Sequence, residues 1–119
     1  MEIEFVGRHV AIGPVMQREI VQRLAPARRF LFEPVEMRVV LEAGEGEKRR
    51  FATEIHVAHR LGTLHARAES PDLGESVAEA TAAVVEQARR GRQKLADSRR
   101  RAGRKEADRT EPAPAATEL

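Results

Sequence analysis

At 119 residues, with 41% hydrophobic content, the chain has room for one domain with a modest core and not for two. It contains no cysteine, which excludes disulfide staples, thiol nucleophiles and every cysteine-based metal site. Its net charge is only +2, no apolar run is long enough to span a bilayer, and it opens on Met1-Glu2-Ile3-Glu4 rather than on a basic and then apolar signal, so a soluble cytoplasmic protein is expected.

The small net charge hides an asymmetry. Arg8, Arg18, Arg23, Arg28 and Arg29 fall in the first third, and Arg89, Arg90, Arg92, Lys94, Arg99, Arg100, Arg101, Arg104 and Lys105 in the last. Between them lie Glu33, Glu36, Glu42, Glu45, Glu47 and Glu54. A basic surface separated from acidic surroundings points to a polyanionic partner. Arginine far outnumbers lysine, and its planar fork suits phosphate.

In chain order, residues 2–7 alternate, with Ile3 and Phe5 on one side and Glu2 and Glu4 on the other, which predicts a strand. Gly13-Pro14 opens a helix, with Pro14 suited to the first turn. Met16, Ile20, Leu24 and Ala27 recur at helical spacing as its buried stripe. Pro26 should end or kink this helix near Ala25. Residues 35–43 alternate again, with Val35, Met37, Val39 and Leu41 inward. Gly44-Glu45-Gly46-Glu47 reads as a turn, and residues 49–59 as a strand with Phe51, Thr53, Ile55 and Val57 on one face.

A two-residue turn at Leu61-Gly62 is expected next, pairing Val57 with Ala66 in the strand 63–69. Ser70-Pro71-Asp72 then opens a second helix, with Asp72 as cap and Glu75 as its capping-box partner. Leu73, Val77, Thr81, Val84 and Ala88 form the apolar stripe, extended weakly to Leu95. From Ala96 the apolar periodicity ends, so a domain over 1–95 and a disordered tail over 96–119, basic and then rich in Pro and Ala, are expected.

The order β-α-β-β-β-α gives an α+β fold: a four-stranded mixed sheet with both helices packed on one face. The opposite face is expected to be polar and open, carrying Glu36, Arg38, Glu54, His56, His65, Arg67 and Glu69.

Chemistry finds little support. His56, His59 and His65 gather around one hairpin, but His56 and His59 should point to opposite faces of their strand, so no metal site is expected. Gly44-Glu45-Gly46-Glu47-Lys48 lacks the spacing and hydroxyl of a phosphate loop. No cofactor, small-molecule substrate or catalytic residue is expected, and the chain reads as a non-enzyme. On the second helix the pairs Arg89/Arg92 and Arg90/Lys94 project from neighbouring turns. Cations late in a helix also complement its dipole, so this pattern alone does not demand RNA. With no Trp or Tyr, base stacking lacks its usual tools, and phosphate or shape recognition is the better reading.

Five stretches, in order, resemble the ribosome hibernation promoting factor family, also called ribosome-associated inhibitor or protein Y. They are Val6-Gly7-Arg8-His9-Val10-Ala11-Ile12, Gln22-Arg23-Leu24-Ala25, Ala52-Thr53-Glu54-Ile55-His56-Val57, Ala66-Arg67-Ala68-Glu69-Ser70-Pro71-Asp72-Leu73 and Glu86-Gln87-Ala88-Arg89-Arg90. The likeness runs from Glu2 to about Lys94 and departs from the family pattern at Pro26, at Gly74, and at Ala88 and Gly91. It implies a short form that binds the decoding region of the small ribosomal subunit under stress or in stationary phase, is monomeric when free, and blocks mRNA and tRNA. The basic helix residues it implies as RNA contacts are Arg23, Arg29, Arg89, Arg90, Arg92 and Lys94, with Arg8 a further one. The residues alone leave open a generic double-stranded-RNA module, whose α-β-β-β-α core order this chain shares, or an adaptor for an acidic protein partner.

Overall fold

The structure is a computed structural model that describes residues 2–46 and 49–110, of which 104–110 only in their backbone. Its elements are β1 (Glu2–Arg8), α1 (Pro14–Leu24), a 3-10 segment (Ala25–Phe30), β2 (Glu36–Ala43), β3 (Phe51–His59), β4 (Gly62–Ser70) and α2 (Leu73–Thr110). The expected α+β order is therefore the observed one. The chain divides into two units between Arg89 and Arg90. The first carries the sheet, α1 and the start of α2. The second carries the rest of α2.

The sheet runs β1-β2-β3-β4. β1 lies parallel to β2 across the helical crossover, and β2, β3 and β4 form an antiparallel meander. Alternation assigns the two faces. Met37, Val39, Leu41, Ile55, Val57 and Ala66 join Ile20, Leu24 and Ala27 and Val77, Ala80, Val84 and Ala88 in one buried cluster. Ile3, Phe5, Met16 and Phe30 pack at its margin. Each core strand residue thus sits two positions from the next, and each core helix residue three or four from the next.

The local reasons follow the sequence. Gly13 is extended and Pro14 takes the first helical position, where its missing N–H costs nothing. The Gln17 amide bonds the Gly13 carbonyl at 3.0 Å to close the first turn. α1 stops at Leu24 and tightens into the 3-10 segment that contains Pro26, as the proline requires. A cis peptide joins Glu33 to Pro34 before β2. Between β1 and α1 the chain turns so tightly that a Cβ on Gly7 would overlap the carbonyl of Val10, and His9 adopts φ 61°. Histidine is among the few side chains that tolerate that left-handed region.

Three expectations need correction. First, the β3–β4 loop is Arg60-Leu61, not Leu61-Gly62, and Val57 pairs with Leu64 while Ile55 pairs with Ala66. Gly62, at φ 148°, begins β4 rather than completing the turn. The cause lies outside the hairpin: the Arg60 amide donates to the Phe32 carbonyl at 3.0 Å, and the Phe32 amide donates to Nδ1 of His59 at 3.3 Å. A shift of two residues leaves every side chain on its expected face.

Second, Asp72 caps α2 by accepting from the Gly74 amide at 3.0 Å, but its own amide donates to Ser70 Oγ at 3.1 Å rather than to Glu75. Serine already stands at the strand end, so the box partner is upstream.

Third, α2 continues through Ala96 to Thr110, where a disordered segment was expected. This stretch has no apolar stripe, yet Ala, Arg, Lys and Glu are strong helix formers, and Arg100 bonds Asp97 one turn back at 2.7 Å. The rest of the expected tail, 111–119, lies outside the described residues, as do Glu47 and Lys48 of the β2–β3 turn.

Candidate functional site

The seven basic residues singled out from the sequence fall in three places. Arg8 ends β1 on the open face of the sheet, where its guanidinium lies 3.7 Å from Glu42. Arg23 and Arg29 belong to α1 and the 3-10 segment. Both are exposed. Arg23 approaches Glu19 at 3.9 Å, and the Arg29 guanidinium stands 5.6 Å over the ring of Phe30. Phe30 is half-buried against the core, so the ring is fixed from below while the cation stays in solvent. Arg18 and Arg28, also exposed, add to this helical surface and were not singled out.

The remaining four stand on α2. Arg89 closes the first unit and forms a two-point pair with Glu86, Nε to Oε1 at 3.0 Å and Nη2 to Oε2 at 2.7 Å. Its hydrogen bonds to Glu86, and then the charge of that carboxylate, raise the guanidinium further above its already high range. Arg90, Arg92 and Lys94 open the second unit, all exposed. Helical geometry brings Arg90 and Lys94 to neighbouring turns of that unit.

The open sheet face differs sharply from the helices. Register places Glu2, Glu4, Glu36, Glu42, Glu54 and Glu69 on it, against Arg8, Arg38 and Arg67. Arg38 approaches Glu4 at 3.4 Å, and Arg67 approaches Glu69 at 3.7 Å. Carboxylates dominate this surface, so it does not suit a polyanion. Arg8 therefore lies apart from Arg23 and Arg29.

At the centre of the open face, Glu54 receives two imidazoles. Nε2 of His65 donates to Oε2 at 2.9 Å, and Nε2 of His56 stands 3.4 Å from Oε1. The bond from His65 holds the Glu54 carboxyl below the usual carboxylate range, against the opposing effect of partial burial, with His56 adding to the lowering. His56 and His59 point to opposite faces of their strand, as their spacing predicts. The structure sends His59 to the other face, beneath the ring of Phe32, where burial pushes its imidazole down. The missed signal was the register, since only the pairing of His56 with His65 brings both rings to Glu54.

Residues 3–96 match the family described as Sigma 54 modulation protein / S30EA ribosomal protein. The chain belongs to this family. It is a family of ribosome-associated proteins, not one of enzymes. No curated protein matches the chain. Among solved structures, the chain is similar to the Thermus thermophilus Protein Y N-terminal domain, with a TM-score of 0.68 and 24% identity, over 76% of this chain and 98% of that one. It is also similar to a ribosomal subunit interface protein from Coxiella burnetii, with a TM-score of 0.59 and 19% identity, over 78% of this chain and 99% of that one. At these identities the two likenesses bear on the fold. Among the described residues, no helix is long and apolar enough to cross a membrane.

Proposed function

We propose that this protein binds the small ribosomal subunit at its decoding region, in the cytoplasm, and keeps mRNA and tRNA out during stress or stationary phase. Membership of the ribosome-associated family over residues 3–96 carries this reading. The contacts are made by Arg23 and Arg29 on one helical surface and by Arg89, Arg90, Arg92 and Lys94 on α2, all exposed. Arg8, held by Glu42 on the carboxylate-rich face, is a peripheral contact. The ribosome-binding domain spans residues 1–95, and 96–119 form an appendage to it.

Phosphate recognition is the operative chemistry. Guanidinium groups release condensed counterions from RNA and bond its phosphate oxygens in pairs. Arg89 must exchange its two bonds to Glu86 for bonds to phosphate or share them. Occlusion needs no catalysis, only occupancy.

Sedimentation of stationary-phase extract through sucrose tests the reading. The protein is expected in the small-subunit and 70S fractions, and its absence from all ribosomal fractions overturns it. Replacing Arg89, Arg90 and Arg92 by Glu should abolish co-sedimentation with the circular dichroism spectrum intact. Equal affinity for any RNA duplex would instead point to a generic duplex binder.

A further inference from the structure

We propose that Glu54, His56 and His65 form a binding site for a divalent transition-metal ion of the Zn2+ class on the open face of the sheet. The site lies on the sheet face opposite the one that packs α1 and is independent of the ribosome-binding reading.

The backbone builds the cluster. Glu54 and His56 stand two apart on β3 and so share a face. His65 is the direct cross-strand partner of His56 on β4. Their ring centroids are 4.6 Å apart with planes tilted 38°. One ligand atom from each of the three residues lies within 4.8 Å of the others. The two ring nitrogens already face the carboxylate, His65 at 2.9 Å from Oε2 and His56 at 3.4 Å from Oε1, close to the roughly 3.3 Å between tetrahedral ligands around an ion bound at about 2.0–2.1 Å. Modest turns of the three side chains bring one carboxylate oxygen and both ring nitrogens around one ion. The two histidine side chains are 49% and 50% exposed, so each ring is free to turn.

The donor set selects the ion. Two imidazole nitrogens and one carboxylate suit Zn2+, Co2+ or Ni2+, whereas Mg2+ and Ca2+ prefer oxygen alone. Binding replaces the Nε2 protons that now face Glu54 and moves each imidazole to its Nδ1–H form. The local charge permits a cation. The neighbouring Arg38 and Arg67 are turned toward Glu4 and Glu69, so neither guanidinium is directed at the cluster. His56 and His65 also line an open depression of about 950 Å3 with Glu4, Glu36 and Arg38, which leaves the fourth coordination position to water. An ion held there would tie β3 to β4.

The test uses the whole chain without an affinity tag, because tag histidines would bind the same ions. Titration calorimetry with Zn2+ should show one ion per chain, and Co2+ should develop the visible absorption of a tetrahedral site. His56→Gln, His65→Gln and Glu54→Gln should each weaken binding by roughly tenfold or more, at least the loss that follows removal of a supporting hydrogen bond from a metal ligand. His9→Gln, remote from the cluster, should leave binding unchanged. NMR of the wild type supplies a readout that needs no variant to fold: Zn2+ should shift the ring nitrogens of His56 and His65 and leave those of His9 in place. Absence of saturable Zn2+ uptake overturns the proposal. So does uptake unaltered by both histidine substitutions, or ring resonances that do not move.

Discussion

The hydroxyls of Thr53 on β3 and Ser76 on α2 meet at 2.9 Å, with both residues fully buried. Ser76 Oγ also donates to the Leu73 carbonyl at 2.7 Å, which leaves Thr53 as the donor of the pair. This bond is a buried polar stitch between helix and sheet in a core made mostly of Ile, Leu, Val, Met and Ala. Thr53→Val keeps the shape but strands a buried acceptor, and should cost about 1–3 kcal/mol in urea unfolding. Adding Ser76→Ala should cost less than the sum of the two single changes, because the second substitution removes the group that the first left unpaired. Additive losses would show that the two hydroxyls are not coupled.

Gly7 supports a second prediction. The carbonyl of Val10 occupies the place of its absent Cβ. Gly7→Ala should therefore lower stability by about 1–3 kcal/mol, the usual range for overpacking, since a backbone oxygen cannot swing aside as a side chain does. The comparison is Gly46→Ala. That site has open space but φ 100°, so only backbone strain acts there. Thermal denaturation of both variants separates the two causes.

His59 sets a pH dependence. Its Nδ1 accepts the Phe32 amide, its ring stacks on Phe32, and burial lowers its pKa below the ordinary value. Because the folded value lies below the unfolded one, its contribution to stability is complete above about pH 6.5. That contribution is lost as pH falls through the lower, folded value. His59→Asn keeps an acceptor for the Phe32 amide but does not titrate. The wild type should lose stability on acidification more steeply than this variant, as read from urea midpoints across the range. Parallel curves would dismiss the role of His59.

The two faces predict different salt behaviour. For RNA binding, replacing Arg23 or Arg92 by Gln should each reduce the slope of log affinity against log salt by about one. Arg8→Gln should change that slope little, because Arg8 sits among carboxylates. A full unit lost at Arg8 would place RNA on the sheet face.

Much of this architecture was legible because period-two and helical patterns are local. Ile3 and Phe5, or Val77, Thr81 and Val84, declare their face by spacing alone. The β3–β4 register was not legible, since Phe32, nearly thirty residues upstream of Arg60, anchors the loop through its backbone. The assumed turn would have set His56 opposite Arg67, and so it concealed the meeting of His56, His65 and Glu54. The length of α2 was obscured for another reason. Past Leu95 no stripe marks a buried side, and propensity with charge pairing sustains the helix without one. The cations were legible in number but not in placement: Arg8 and Arg23 look alike in the sequence, and only strand pairing sends Arg8 to the face opposite the core.

The strand order carries a consequence for how the sheet closes. Every neighbour in the meander of β2, β3 and β4 is joined by a short connection, whereas β1 reaches β2 only after α1 and the 3-10 segment have formed. β1 is thus the strand that must close the longest loop to reach its partner, and closing a longer loop costs more entropy. β1 also lies at the rim of the sheet and depends on β2 alone. Amide exchange should accordingly be faster in β1 than in β3, which is flanked on both sides, so the sheet stays open along its β1 edge until the meander is in place.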